Sequence, residues 1–153
     1  YGNDAGGTNA GRAYLYLNSL TGTDIPDEFF TGATSNDNFG FSVSISGNKA
    51  LIGVPYDDTG ATNTGSAYLF DATTGALLQT FNNPTPEKHD DFGYSISISD
   101  DKVLIGARQD NTGAPVAGSV YLYFADTDSD GIFDSADNAS RSCFSEIFFN
   151  PRI

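Results

Sequence analysis

Apolar and polar residues alternate with a period of two along much of the chain, the pattern of strands whose two faces meet different surroundings. In FGFSVSIS, residues 39–46, Val43 and Ile45 fall on one face and Ser42, Ser44 and Ser46 on the other. Side chains as small as serine let a neighbouring sheet approach closely. KALIGVP, 49–55, is a short apolar run suited to a strand buried on both faces. Gly47-Asn48 between these runs predicts a hairpin turn, because both residues tolerate positive φ. GSAYLF, 65–70, and ALLQTF, 76–81, predict a third and a fourth strand around a Thr-Thr-Gly turn. A polar loop, Tyr56 to Thr64, joins the second strand to the third. Helical periodicity does not occur.

The stretch from Asp37 to Phe70 returns as Asp90 to Tyr123, offset by 53 residues without a gap, with 19 of 34 aligned residues identical. The second copy predicts strands at 92–99, 102–107 and 118–124. Near the N-terminus, Gly11 to Leu15 matches Gly65 to Leu69 at an offset of 54, and Asp27 to Phe30 falls where a fourth strand belongs. A period of this size marks one supersecondary unit stacked on copies of itself. Four antiparallel strands in about 50 residues predict an all-β fold of β-propeller blades. Residues 1–36 read as a half blade holding third and fourth strands, 37–89 as a complete blade, and 90–125 as the first three strands of a third. The total is about 2.5–3 blades, fewer than the roughly four to eight of a closed ring. A solenoid or stacked sandwich is the alternative; strand length and the four-strand count favour the propeller.

At Phe39-Gly40 and Gly53-Val54-Pro55 the chain resembles the FG-GAP repeat, the blade unit of integrin α-subunit propellers and of many bacterial surface proteins. The second copy keeps Phe92-Gly93 but reads Gly106-Ala107-Arg108, so the proline is lost. The trailing Gly-Ser-Ala-Tyr and Gly-Ser-Val-Tyr fit the same family, and the resemblance spans nearly residues 1–124. It implies a propeller fold and is weak for function, since one blade type serves adhesive, lectin-like and structural roles. Many such blades carry a DxDxDG calcium loop between their first two strands. Here those positions hold Ser46-Gly47-Asn48-Lys49 and Ser99-Asp100-Asp101-Lys102, too short and too basic for an oxygen cage. Integrin-type ligand recognition does not carry over to a chain too short for the ring.

Cation chemistry is expected elsewhere. Residues 126–137 read DTDSDGIFDSAD, with Asp126, Asp128 and Asp130 at positions one, three and five of a twelve-residue loop. Gly131 stands at six, Ile132 at seven, Asp134 at nine and Asp137 at twelve, the ligand register of an EF-hand. Alternating carboxylates on a curled backbone supply the oxygens that Ca²⁺ needs, and Ile132 adds its carbonyl. Asp126 to Asn138 also resembles one thrombospondin type 3 unit, until Ala139-Ser140 replaces the usual Cys-Pro. The expected affinity is roughly 10⁻⁴ to 10⁻³ M, which implies export into a calcium-rich medium.

The net charge of −13 repels nucleic acid and anionic membranes and favours cations. Aromatic content of 13% with periodic apolar runs argues against the disorder that acidic composition can signal. Cys143 is the only cysteine, so no intrachain disulfide forms. The chain opens on Tyr1 within a repeat and has no methionine, as expected of a processed product, a fragment or an incomplete sequence. No transmembrane-length run or signal peptide stands out.

Other signals are weaker. Asp57-Asp58 and Asp110-Asn111 recur before the third strand, as cation or sugar ligands or, more commonly, as Asx-turn caps. Tyr14, Tyr56 and Tyr121 are aromatic platforms for sugars or strand-packing residues. His89 reads as a loop residue, and the serines of SVSIS and SISIS have no Gly-x-Ser-x-Gly elbow. Asn138-Ala139-Ser140 is a glycosylation sequon by pattern. The tail, 139–153, carries Phe144, Ile147, Phe148 and Phe149, as a closing strand or an inter-chain contact. The leading expectation is a non-enzymatic, calcium-binding extracellular adhesion or structural module, with self-association through open blade margins or completion by blades of a longer chain. A lectin-like propeller and an accessory domain of a secreted hydrolase or lyase are the alternatives.

Overall fold

The computed structural model describes residues 7–16, 28–31, 34–100, 102–112, 115 and 117–124. The expected calcium loop at 126–138, Cys143 and the tail at 139–153 lie outside these residues. The described fold is all-β, with nine strands in three antiparallel sheets. The first sheet pairs β1 (Arg12–Leu15) with β2 (Glu28–Thr31). The second is a meander of β3 (Ser42–Ser46), β4 (Lys49–Val54), β5 (Ser66–Asp71) and β6 (Leu77–Asn82). The third runs β7 (Phe92–Ser99), β8 (Lys102–Ala107) and β9 (Ser119–Phe124).

The strands arise where the period-two pattern places them, and Gly47 turns the first hairpin with φ of 53°. One boundary differs between the copies. The strand expected from Phe39 starts at Ser42, where the ladder with β4 begins opposite Gly53, and Phe39 stays outside that ladder. In the third sheet a register shift between Phe92 and Ser95 lets Phe92 pair with Ala107, so β7 runs through the same Phe-Gly.

Pairing fixes the faces. Ser44, Leu51 and Leu69 stand in register on one face of the second sheet, and Ile45, Ala50 and Phe70 on the other. The first face packs on the third sheet. Leu51, Leu69 and Phe81 join Ile98, Ile105 and Tyr123 in one core, with Phe81 and Tyr123 ring centroids 4.8 Å apart. The opposite face packs on the first sheet through Ile52, Val54, Phe30 and Phe39. Each fully buried aliphatic side chain stabilises the stack by about 1.5–3 kcal/mol.

The serines act as the pattern suggested. Strands β3 and β7 approach within 8 Å between Cα atoms, closer than the roughly 10 Å of ordinary stacked sheets. At that distance serine side chains reach backbone. Ser42 Oγ donates to Gly93 O at 2.8 Å, Ile98 N donates to Ser44 Oγ at 3.1 Å, and Asp100 N to Ser46 Oγ at 3.0 Å.

A second lock recurs at both sheet junctions. Phe92 N donates to Thr64 O at 2.9 Å, and Phe39 N donates to Ala10 O at 2.8 Å. Parallel bridges join Gly65 to Phe92 and Gly11 to Phe39. At Gly65, with φ of 82°, a methyl group would lie 2.6 Å from Phe92 N and nearer still to Phe92 O. Only glycine suits that approach.

Candidate functional site

The loops after β4 and β8 bring the repeated acidic residues to equivalent places. Asp57 is 7% and Asp110 1% exposed. Asp57 Oδ1 accepts from Thr59 N at 2.8 Å and Thr59 Oγ1 at 2.5 Å, and its Oδ2 accepts from Tyr68 OH at 2.8 Å. Asp110 repeats this: Thr112 N donates to its Oδ1 at 2.7 Å and Tyr121 OH donates to its Oδ2. Both carboxylates therefore form Asx turns braced by a tyrosine from the third strand of the repeat. Asp58 Oδ1 accepts from Asn63 N at 2.8 Å, and Asn111 lies exposed beside Asp110. Asp57, Asp58 and Asp110 sit in loop-capping geometry, and the structure does not gather the four candidates into one metal-holding cluster.

Burial and neighbouring charge act on a second pair. Asp37 and Asp90 are equivalent, each two residues ahead of a Phe-Gly. Burial pushes the Asp37 carboxyl above the ordinary carboxylate value; a hydrogen bond from Thr34 opposes this, and the charges of Asp57 and Asp58 add to it. Asp90 is raised for the same first reason, opposed by the bond from Glu87 N and reinforced by Asp110. Its Oδ2 accepts from Asn83 Nδ2 and Glu87 N, both at 2.7 Å, while its buried Oδ1 has no hydrogen-bond partner among the described residues. Burial likewise raises the Tyr68 and Tyr123 hydroxyls above their usual value, with Asp57 adding at Tyr68.

Sequence reasoning passed over Asp37 and Asp90, although their identity in both copies was a usable signal. It also missed what replaces the lost proline. Arg108, at the position of Pro55, donates from Nε to Asp91 Oδ2 at 2.7 Å and lies 4.1 Å over the Tyr94 ring. Gln109 Nε2 adds a bond of 3.0 Å to the same carboxylate. In the first copy these four positions hold Pro55, Asn38, Phe41 and Tyr56. There Phe41 packs edge-on against Tyr56, with centroids 5.9 Å apart.

Of the remaining expectations, Tyr121 is a core residue at 6% exposure, and Tyr14 is exposed. His89 lies in a turn with Nδ1 3.1 Å from Asn63 Nδ2. Among the described residues no group of three or more His, Cys, Asp or Glu is arranged to hold a metal ion. The calcium ligands expected at Asp126, Asp128, Asp130, Ile132, Asp134 and Asp137 lie outside the described residues. No helix among those described is long and apolar enough to cross a membrane.

No curated protein matches the chain. The sequence model of one family, the FG-GAP repeat, matches residues 31–70 and 86–123, together just over half of the 153 residues.

Proposed function

The chain belongs to the FG-GAP repeat family, and on that premise we propose that it is a non-enzymatic, calcium-stabilised extracellular module of adhesion or surface structure. Its three sheets are consecutive propeller blades: a half blade within 1–36, a complete blade within 37–89 and a third within 90–125. The observation that carries this reading is the recurrence of one junction. The second sheet meets the third, and the first meets the second, through the same Phe-Gly bridge and the same apolar faces. A unit that repeats its own interface is built for an array.

Calcium binds in the loop 126–137, through Asp126, Asp128, Asp130, Asp134 and Asp137 with the Ile132 carbonyl. Without the ion these like charges repel one another. Edge strands of such blades favour association with further copies or with neighbouring blades of a longer chain. The lectin-like alternative draws less support, because Asp57 and Asp110 are engaged in internal bonds.

A calcium titration of the whole chain, read by calorimetry with sedimentation in calcium and in chelator, tests the proposal. Binding near roughly 10⁻⁴ to 10⁻³ M, lost when Asp128 and Asp130 become alanine, is the expected result. An unchanged titration in the double variant refutes the calcium assignment, and a monomer under all conditions refutes self-association.

A further inference from the structure

What both copies of the repeat share serves the stack, so a feature found in one copy alone is available for another task. Arg108 is such a feature. In the first copy Pro55 stands in its place, and the sheet forms there without a charge. In the second copy the Asp91 carboxylate accepts from Arg108 Nε at 2.7 Å and from Gln109 Nε2 at 3.0 Å. The guanidinium carbon lies 4.1 Å over the centre of the Tyr94 ring. Tyr94 is backed in turn by Phe41 of the second sheet, with ring centroids 4.8 Å apart.

A carboxylate and a ring thus hold the guanidinium at two places. The Arg108 side chain is 45% exposed and that of Asp91 2%. Nε is engaged by Asp91, while the two terminal nitrogens make no hydrogen bond among the described residues. The bond to Asp91 holds the Arg108 pKa above its ordinary value; burial opposes this, and the charges of Asp91, Tyr94 and Tyr56 add to it. The last two place both phenols within electrostatic reach of the guanidinium. An incoming group therefore meets a held donor fork with phenol hydroxyls nearby, and the acceptor Asp91 is buried. A planar fork of N–H groups matches the two oxygens of a carboxylate.

We propose that Arg108 binds the carboxylate of a uronate unit in an acidic glycan, with the Tyr56 and Tyr94 hydroxyls as partners for those of the sugar. The inference goes beyond the proposed function, uses neither Asp57 nor Asp110, and depends on neither calcium nor assembly. The net charge of −13 opposes an anion at long range. At physiological salt, charges farther off than about 8 Å are largely screened. At contact the ligand meets the guanidinium directly, and the buried Asp91 stands farther away. An acidic peptide draws less support. Backbone near Arg108 is already engaged: Phe92 pairs with Ala107, Gln109 N donates to Asp90 O, and Asp110 N donates to Ala107 O. A peptide would thus be held by its side chain alone, whereas a uronate also offers ring hydroxyls.

The probe is tetragalacturonate, titrated by calorimetry into the full-length chain at about 0.15 M salt, in chelator so that calcium bridges no acids. Saturable binding is expected, weakened at least about tenfold when the tetramer is methyl-esterified or when Arg108→Lys keeps the charge but removes the fork. Asp91→Asn with Arg108→Pro carries the first-copy residues, so it should keep the wild-type circular dichroism and lose binding. Should that variant unfold, Arg108→Lys with wild-type circular dichroism decides. No binding to the wild-type chain overturns the proposal, as does equal binding of the ester or equal binding by Arg108→Lys. Tighter binding of a tetra-aspartate peptide overturns the glycan assignment in favour of a protein partner. Calcium binding and particle size are read separately, so failure here leaves the proposed function standing, and the reverse.

Discussion

Replacing Gly65 with alanine probes the junction between the second and third sheets through two separable effects. Gly65 has φ of 82°, and a methyl group there would lie 2.6 Å from Phe92 N and 2.9 Å from the Phe92 carbonyl carbon. The left-handed conformation costs an ordinary residue about 1–2 kcal/mol. Forcing a methyl into packed backbone adds about 1–3 kcal/mol. Gly47 supplies the control, with φ of 53° and no atom within 4 Å of the added methyl. Gly47→Ala therefore carries the conformational cost alone. Both variants stiffen the unfolded chain alike, which offsets about 0.4–1 kcal/mol. The difference between them, about 1–3 kcal/mol, measures the close approach itself. With urea slopes of about 1–3 kcal/mol per molar, the Gly65→Ala midpoint should fall about 1 M below that of Gly47→Ala. Tyrosine fluorescence suits the assay, since the chain has 8 tyrosines and no tryptophan. Equal midpoints would refute the claim that backbone contact at Gly65 locks the sheets.

Acidification should stabilise the protein. Asp37 and Asp90 have folded values above the ordinary 3.8, so the native state binds more protons as pH falls through those values, and the gain levels off below 3.8. Asp71 works oppositely, but its folded value is lowered, so its loss falls below 3.8. Urea midpoints against pH should flatten when Asp37 and Asp90 become asparagine; an unchanged slope counts against this. Arg108→Ala leaves the buried Asp91 carboxylate with Gln109 as its remaining side-chain donor among the described residues and should cost about 1–3 kcal/mol by urea unfolding. Restoring the first-copy residues, Asp91→Asn with Arg108→Pro, should recover at least half of that loss; no recovery would show that the two positions act independently.

Strand positions were legible because the alternation at Val43 to Ser46 and the run Ala50 to Val54 leave few other structures open. The turn role of Asp57 was legible too, since a carboxylate caps the amide two residues on whatever lies nearby. Exposure was not. Val43 and Ile96 carry the same local pattern, yet Val43 is exposed and Ile96 packs against the core, a difference set by what each strand faces among the described residues. The pairing of Asp91 with Arg108 was hidden for a similar reason. It joins residues 17 apart at the base of the β7–β8 hairpin, where the register shift between Phe92 and Ser95, which the alternation does not announce, sets Phe92 opposite Ala107. The Phe-Gly bridges lay between these extremes: the motif was visible, but its backbone partners Thr64 and Ala10 are ordinary loop residues.

The serine rungs between β3 and β7 place one side of each contact 51 or 54 residues from the other. A tandem duplication of the coding segment would therefore lengthen the structure without inventing a new surface, because every added unit inherits both the hydroxyls and the amides they meet. The same economy has a penalty: a lesion in the inherited motif is copied along with it, so defects in such a lineage would spread by amplification as readily as improvements.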